Sequence, residues 1–307
     1  MSEPSFSVVI PVFNSQQSLE ELFLGIKSVF EKENQSFETI LVDDGSRDQS
    51  WNIIRDLKTK YPDQVKGIRL NKNYGQHNAT LCGFSFARGG YIITIDDDLQ
   101  IPPGEISKLI RTIETTNADL VYGYYTHKKH SVVRRVGSSS LKKSSGIFRD
   151  TPGEGSSFRL LTADLKEKLL NHHQHFIFID EVFQWYTDDI NFVEVNHEQR
   201  KYAKTNYTSG KIFNLVTNIL IYYTTIPLKL MVITGFTISF LSLLCGMYYL
   251  FRKIFLHVPI PGYTSLIVAI LFSTSIILFS LGVIGEYLGR IYELQNKKPA
   301  YSIKKII

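Results

Sequence analysis

Apolar runs and amphipathic stretches alternate from the start of the chain. Ser7–Val12, Thr39–Val42, Gly67–Leu70 and Tyr91–Ile95 are short, rich in β-branched residues and closed by turn formers, so they read as buried strands. Between and after them, apolar positions recur with helical spacing over Ser18–Phe30, Gln49–Lys60, Gln76–Ala87 and Glu105–Glu114. The order βαβαβαβ predicts an α/β domain built on a mostly parallel sheet with helices on both faces. Ligands of such sheets bind beyond the carboxyl ends of the strands, so the polar residues there are where chemistry is expected.

The C-terminal part has a different pattern. Met231–Phe251 and Gly262–Gly285 carry no charge, and each is long enough to cross a hydrocarbon core of about 30 Å as a helix. Tyr248, Tyr249, Tyr263 and Tyr287 near their ends suit membrane interfaces, so two transmembrane helices are predicted. Ser209–Pro227 is too polar to span. Its apolar residues Ile212, Leu215, Val216, Ile219 and Tyr223 recur at helical spacing, which suits an interfacial helix or a packed core helix. Arg290, Lys297, Lys298, Lys304 and Lys305 follow the second run, against Arg252 and Lys253 between the two. That asymmetry favours a multi-pass protein of the cytoplasmic (inner) membrane with both termini on the cytoplasmic side. Met1–Phe13 lacks a basic leader and is not expected to be a signal peptide.

Composition narrows the function classes. Of 307 residues, 44% are apolar and 21% charged, which excludes disordered and collagen-like classes. The net charge of +5 is too mild to imply nucleic-acid binding by itself. Cys82 and Cys245 lie in apolar surroundings, so no disulfide framework is expected. No G-x-G-x-x-G opens a helix after the first strand and no P-loop motif occurs, which weighs against dinucleotide oxidoreductases and P-loop NTPases.

The strand ends carry acids instead. The second strand runs into Asp43-Asp44-Gly45-Ser46, and the fourth into Asp96-Asp97-Asp98-Leu99-Gln100. Three consecutive carboxylates repel one another, and a divalent cation would relieve that repulsion. In extended geometry Asp96 and Asp98 project to one side, continued by Gln100, while Asp97 points away. Hard oxygen ligands of this kind suit Mg²⁺ or Mn²⁺ together with phosphate oxygens, although a solvated acidic turn is the plainer alternative. The Asp43–Ser46 stretch can be a turn with a helix cap, or a place where a carboxylate meets a ribose hydroxyl or base N–H.

PVFN at 11–14, VDDGSRD at 42–48, NKNYGQHNATLCGF at 71–84 and IDDDLQIPP at 95–103 together resemble the motif series of family 2 glycosyltransferases of the GT-A fold. Within that family the chain is most similar to polyprenyl-phosphate glycosyltransferases, the group of dolichol-phosphate mannose synthase and the bacterial undecaprenyl-phosphate aminoarabinose transferase. TTIPLKL at 224–230 and LGVIGEYLGRIY at 281–292 resemble the membrane portion of the bacterial members, so the likeness covers nearly the whole chain.

The resemblance implies a GT-A, Rossmann-like sheet and a nucleotide-sugar donor whose base and ribose lie near Pro11, Asp43 and Asp44, with Asp96 also on the nucleotide side. Asp96, Asp98 and Gln100 match the metal-binding D-x-D-x-Q arrangement. Arg200, in HEQRKYAKTNYT, matches an arginine that holds phosphate groups. Two positions depart from the pattern: Ser15 stands where relatives usually carry an acid, and Asn206 where they often carry a lysine, whose phosphate contact Lys204 would supply.

Residues 120–149 contain Lys128, Lys129, Arg134, Arg135, Lys142, Lys143 and Arg149 and no acid. A cytoplasmic leaflet attracts such juxtamembrane charges by about 1 kcal/mol each, and a lipid phosphate would be captured there too. Arg134 and Arg159 therefore join Arg200 and Lys204 as expected phosphate or lipid-phosphate ligands. Tyr124, Tyr125 and Phe148 beside these charges offer a nucleic-acid alternative, which the predicted spans disfavour.

The implied reaction is attack of a polyprenyl phosphate on the anomeric carbon with inversion, releasing a nucleoside diphosphate. A phosphate monoester has a second pKa of about 6, so the acceptor is mostly dianionic at neutral pH and needs little help from a base. Glu154, with Asp150 in reserve, is the expected base, and Asp98 is expected to act through the metal. His172, His173 and His175 lack a ligand frame. His77 fits either donor-site proximity or helix N-terminal packing.

The expected organisation is a cytoplasmic GT-A domain over 1–208, an interfacial helix over 209–227, a transmembrane hairpin over 228–290 and a cytoplasmic tail over 291–307. Its YSIKKII end fits an added strand or a basic membrane contact. A homo-oligomer, a tetramer by resemblance, is expected, with no nucleic-acid partner. Two competing readings are a processive polysaccharide synthase, for which the QxxRW motif is missing, and a non-catalytic membrane scaffold.

Overall fold

The computed structural model describes residues 3–125, 156–171, 179–198, 226–255, 262–295 and 299–307. The chain divides into two compact units, one of residues 1–134, 148–205 and 298–307, the other of 135–147 and 206–297.

The first unit is built on an eight-stranded sheet: β1 (Phe6–Val12), β2 (Phe37–Asp43), β3 (Val65–Leu70), β4 (Tyr91–Thr94), β5 (Leu120–Tyr124), β6 (Arg159–Thr162), β7 (Ile190–Glu194) and β8 (Ile303–Ile306). Their spatial order is β7-β5-β6-β4-β1-β2-β3-β8. β1 pairs in parallel with β2 and β4, β2 with β3, and β5 with β7. β6 runs antiparallel to β4 and β5, and β8 antiparallel to β3. The four expected strands are all present. β5, β6 and β7 were not foreseen, because strands as short as RLLT carry too few positions to show a period, and β8 was one of the two readings of the YSIKKII end.

Every residue of β1 and β2 is buried, as befits central parallel strands covered on both faces. Phe6, Val8, Ile10 and Val12 face one core, which they share with α1 (Leu19–Lys32), α2 (Ser50–Lys60) and α4 (Ile106–Thr116). Val9 faces the other, packed by α3 (Gln76–Phe84), α5 (Ala163–Leu170) and α6 (Ile179–Tyr186). The α1 stripe Leu19, Leu22, Phe23, Ile26, Val29 and Phe30 follows the helical period and is entirely buried. On α3, a Cβ at Gly83 would come within 2.2 Å of Val9 Cγ1, so glycine lets this helix settle directly on β1. That close approach holds the N-terminus of α3 beside the strand ends.

The second unit contains α7 (Ile226–Phe255) and α8 (Tyr263–Gln295), of 30 and 33 residues. Both charge-free runs are therefore helical. Their large apolar side chains are exposed, among them Phe236, Phe240, Phe272 and Phe279, which water would penalise. Among the described residues, Phe272–Gly289 is the stretch long and apolar enough to cross a membrane.

Candidate active site

The strand order reverses direction at β1, with β2 on one side and β4 on the other, so a crevice opens where the β1 and β4 ends part. Asp97 ties its two walls together. Its Oδ2 accepts the Phe13 amide at 2.9 Å and the Ser15 hydroxyl, while the Ser18 hydroxyl donates to the Asp97 carbonyl. Burial pushes the Asp97 carboxyl up to about 6 against these hydrogen bonds, and Asp96 and Asp98 add to the rise. Ser15, where an acid was the usual expectation, thus serves as a donor to an acid.

The neighbouring acids have other partners. β4 ends at Thr94 and Asp97 and Asp98 lie in a turn, so the extended geometry expected for this run is not what the chain adopts. Asp96 Oδ1 accepts from Gln76 Nε2 at 2.6 Å and Oδ2 from Ser157 Oγ at 2.5 Å. Asp98 Oδ1 accepts the Gln100 amide at 3.1 Å, closing a turn whose middle residue, Leu99, is left-handed with φ 58°. A bulky residue at positive φ is an outlier, and such strain clusters at ligand sites. Here Leu99 is 5% exposed, so its burial in the core compensates the conformation that turns the chain past Asp98.

The donor chemistry fits a hard divalent cation. Asp96, Asp98 and Gln100 offer carboxylate and amide oxygens, and the hydrogen bonds that Asp96 receives from Gln76 and Ser157 come from neutral groups. Among the described residues no three His, Cys, Asp or Glu side chains group around one point. A cation held by this short set would need further oxygens from water and phosphate, which is the usual habit of Mg²⁺.

Pro11 lies in β1 opposite Val42, beyond Val9, the last β1 residue paired with β4. Val9 offers its carbonyl to Ile95 on the β4 side and Val12 to Asp44 on the β2 side. By alternation Pro11 faces the β4 side, where the ladder has already ended and its missing N–H is not needed.

Asp43 and Asp44 are both buried. Asp43 Oδ1 accepts the Ser46 amide at 2.9 Å, and Oδ2 pairs with Arg69 Nε at 3.1 Å. Asp44 accepts the Tyr74 and Gly75 amides at 2.7 and 2.8 Å, and burial raises its pKa in spite of them. Both acids thus organise the turns around the crevice. Gly45, at φ 73°, lies so close to the next loop that a Cβ would meet Lys72 C at 2.8 Å. Beside these turns a cleft of about 400 Å³ is lined by Phe13, Asn14, Arg47, Lys72 and Lys304 among others.

Arg159, expected as a phosphate ligand, is 3% exposed. Its guanidinium pairs with Asp180, which also accepts the Tyr122 hydroxyl at 2.8 Å, and stacks over the Phe183 ring at 5.3 Å. A phosphate would have to displace Asp180 to reach it. His77 feels this pair, but burial is the main influence and lowers its pKa. Gln76, Asp97, Ser157 and Asp180 were not singled out from the sequence. Their contacts join segments far apart in the chain, and only the acidity of Asp97 signalled anything locally. Glu154, Asp150, Arg134, Arg200, Lys204, the basic loop beyond Tyr125, the three clustered histidines and most of the expected interfacial helix lie outside the described residues.

An α/β sheet with paired acids at the β4 end beside a crevice is the architecture of a GT-A glycosyltransferase. The chain belongs to glycosyl transferase family 2, whose domain matches residues 7–186, and residues 226–291 match the GtrB C-terminal hairpin. It is 32% identical to the undecaprenyl-phosphate 4-deoxy-4-formamido-L-arabinose transferase of Shewanella sediminis, over 98% of this chain and 92% of that one. It is 34% identical to the enzyme of the same name from Proteus mirabilis, over 98% and 93%. The fold is also that of glucosyl-3-phosphoglycerate synthase from Mycobacterium tuberculosis, solved with Mn²⁺, UDP-glucose and phosphoglyceric acid. That match has a TM-score of 0.53 at 16% identity and covers 71% of this chain and 78% of the other.

Proposed function

We propose that the protein transfers a single sugar from a nucleotide-sugar donor to undecaprenyl phosphate, or a related polyprenyl phosphate, with inversion at the anomeric carbon. The reading rests above all on the end-to-end likeness to undecaprenyl-phosphate sugar transferases, hairpin included. The paired acids at the end of β4 support it. The hairpin of α7 and α8 anchors the enzyme in the cytoplasmic membrane as two spans, with the sheet on the cytoplasmic side. The lipid-linked sugar then serves modification of envelope or surface glycans.

In the reaction a lipid phosphate oxygen forms the new bond to the anomeric carbon as the bond to the nucleoside diphosphate breaks. Asp96, Asp98 and Gln100 would hold Mg²⁺ or Mn²⁺, which would supply neutralisation of the leaving diphosphate. Asp97 keeps the acids of the β4 turn in register with the β1 turn, and Gln76 and Ser157 orient the Asp96 carboxylate. Glu154, with Asp150 as the alternative, assists deprotonation of any acceptor that arrives as a monoanion. Arg134, Arg200 and Lys204 receive the phosphates. The test is transfer of label from a panel of nucleotide sugars into the organic-extractable fraction, using purified protein, undecaprenyl phosphate and Mg²⁺ or Mn²⁺. Label in the lipid phase that disappears in Asp98→Ala supports the reading; no lipid label with any donor, from folded protein, refutes it.

A further inference from the structure

The C-terminal strand β8 follows the hairpin in sequence yet belongs to the sheet, where it forms the edge beside β3. Its attachment is extensive. Gly67 and Ile307 exchange backbone hydrogen bonds at 2.9 and 3.1 Å, and the Asn71 amide and side chain reach Ser302 at 2.9 and 2.6 Å. A Cβ at Gly67 would meet Ile307 Cγ1 at 2.7 Å, so the glycine makes room for the terminal residue.

The pairing contains one irregularity. Arg69 is opposite Lys305, but the next residue, Leu70, is opposite Ile303, which leaves Lys304 as an extra residue in the ladder. Such bulges bend a strand and re-aim the side chain of the extra residue. Lys304 is exposed and lines the cleft of about 400 Å³ beside the β1, β2 and β3 ends. Phe13, Asn14, Gly45, Asn71 and Lys72 form other parts of its wall.

The cleft is basic, with cations of different standing. Arg69 is committed to Asp43 and to the Ser46 carbonyl. Arg47, Lys72 and Lys304 enter no ion pair among the described residues, and Lys72 lies over the Tyr74 ring at 5.2 Å. Phe13, part of the cleft wall, donates its amide to Asp97 of the acidic turn at β4, so the two sites share a wall residue. A cleft of this charge suits an anion.

We infer that the bulge of β8 makes Lys304 a binding residue for the donor, its ammonium donating to an oxygen of the nucleoside diphosphate. The inference rests on the donor reading proposed above and extends the donor site to the segment beyond the membrane hairpin.

The test is binding of UDP, GDP, CDP and ADP to the full-length protein in detergent, by calorimetry, for wild type, Lys304→Ala and Lys305→Ala. Lys304→Ala should weaken the nucleotide that wild type binds by roughly tenfold, the loss expected for a hydrogen bond to a charged group. Lys305→Ala, one residue along and off the cleft, should stay within about twofold, as an exposed charge without a ligand would. Added salt should weaken wild type more than Lys304→Ala, a response that a change in strand stability would not produce. Equal binding by wild type and Lys304→Ala, or equal losses in the two variants, overturns the role of Lys304 alone. Wild type that binds none of the four overturns the donor reading with it.

Discussion

The Ser15 hydroxyl and the Asp97 carboxylate are hydrogen-bonded across the crevice between β1 and β4. The same carboxylate oxygen takes the Phe13 amide, so one acid fixes the turn after β1 relative to the turn after β4. Ser15→Ala should cost about 1 kcal/mol of stability, a typical net value for one hydrogen bond, and should raise the KM for the donor. Ser15→Asp should cost more, because it sets a second carboxylate against a buried one. Thermal unfolding and donor kinetics of the three proteins check the order; a Ser15→Asp variant as stable as wild type would contradict it.

On the proposed function, the acids assigned to the metal should matter more than the residue assigned as base. Asp98→Ala is expected to lower turnover by roughly a hundredfold or more, on the scale of losing electrostatic stabilisation of a leaving group. Glu154→Gln should only reduce it, since a phosphate acceptor is already ionised at neutral pH. Chelation should abolish transfer by wild type, and Mg²⁺ or Mn²⁺ should restore it. Equal, small losses in the two variants would reverse the ranking.

The central sheet was legible because β1 to β4 are continuous apolar runs closed by turn residues, a signal that survives without tertiary information. β8 was open to two readings, as IKKI suits an edge strand and a basic membrane contact equally; only its pairing with Val65–Leu70 decides between them. At the site, extended geometry was expected for Asp96, Asp97 and Asp98, but β4 ends at Thr94 and the chain turns at Asp97 and Asp98, with Leu99 left-handed. Asp180 could not be foreseen. Its importance comes from the buried guanidinium of Arg159 at the start of β6, whereas Asp180 itself lies in α6.

Acid titration of Asp44 offers a check on burial. Its folded pKa is raised above the unfolded value, so between the two the folded protein binds more protons and stability falls as pH rises. The cost is fully present above the folded pKa and is relieved below the unfolded one. Relative to Asp44→Asn, wild type should therefore lose stability as pH rises through this acidic window. Denaturant unfolding of both proteins across that range, followed by tryptophan fluorescence, reads the difference. A wild type that gains on the variant with rising pH would show that the Tyr74 and Gly75 amides outweigh desolvation.

Arg159 and Asp180 should behave as one buried unit. Removing either partner alone leaves a charge in the interior, at a cost of about 3–5 kcal/mol. Asp180→Ala also leaves the Tyr122 hydroxyl without its acceptor. Replacing both, as Arg159→Met with Asp180→Leu, removes the stranded charge and should cost less than the sum of the single changes. A double-mutant cycle on unfolding free energy measures this coupling. Additive losses would mean that the two side chains are not paired in the folded protein, and would return Arg159 to the phosphate role expected from its position in the sequence.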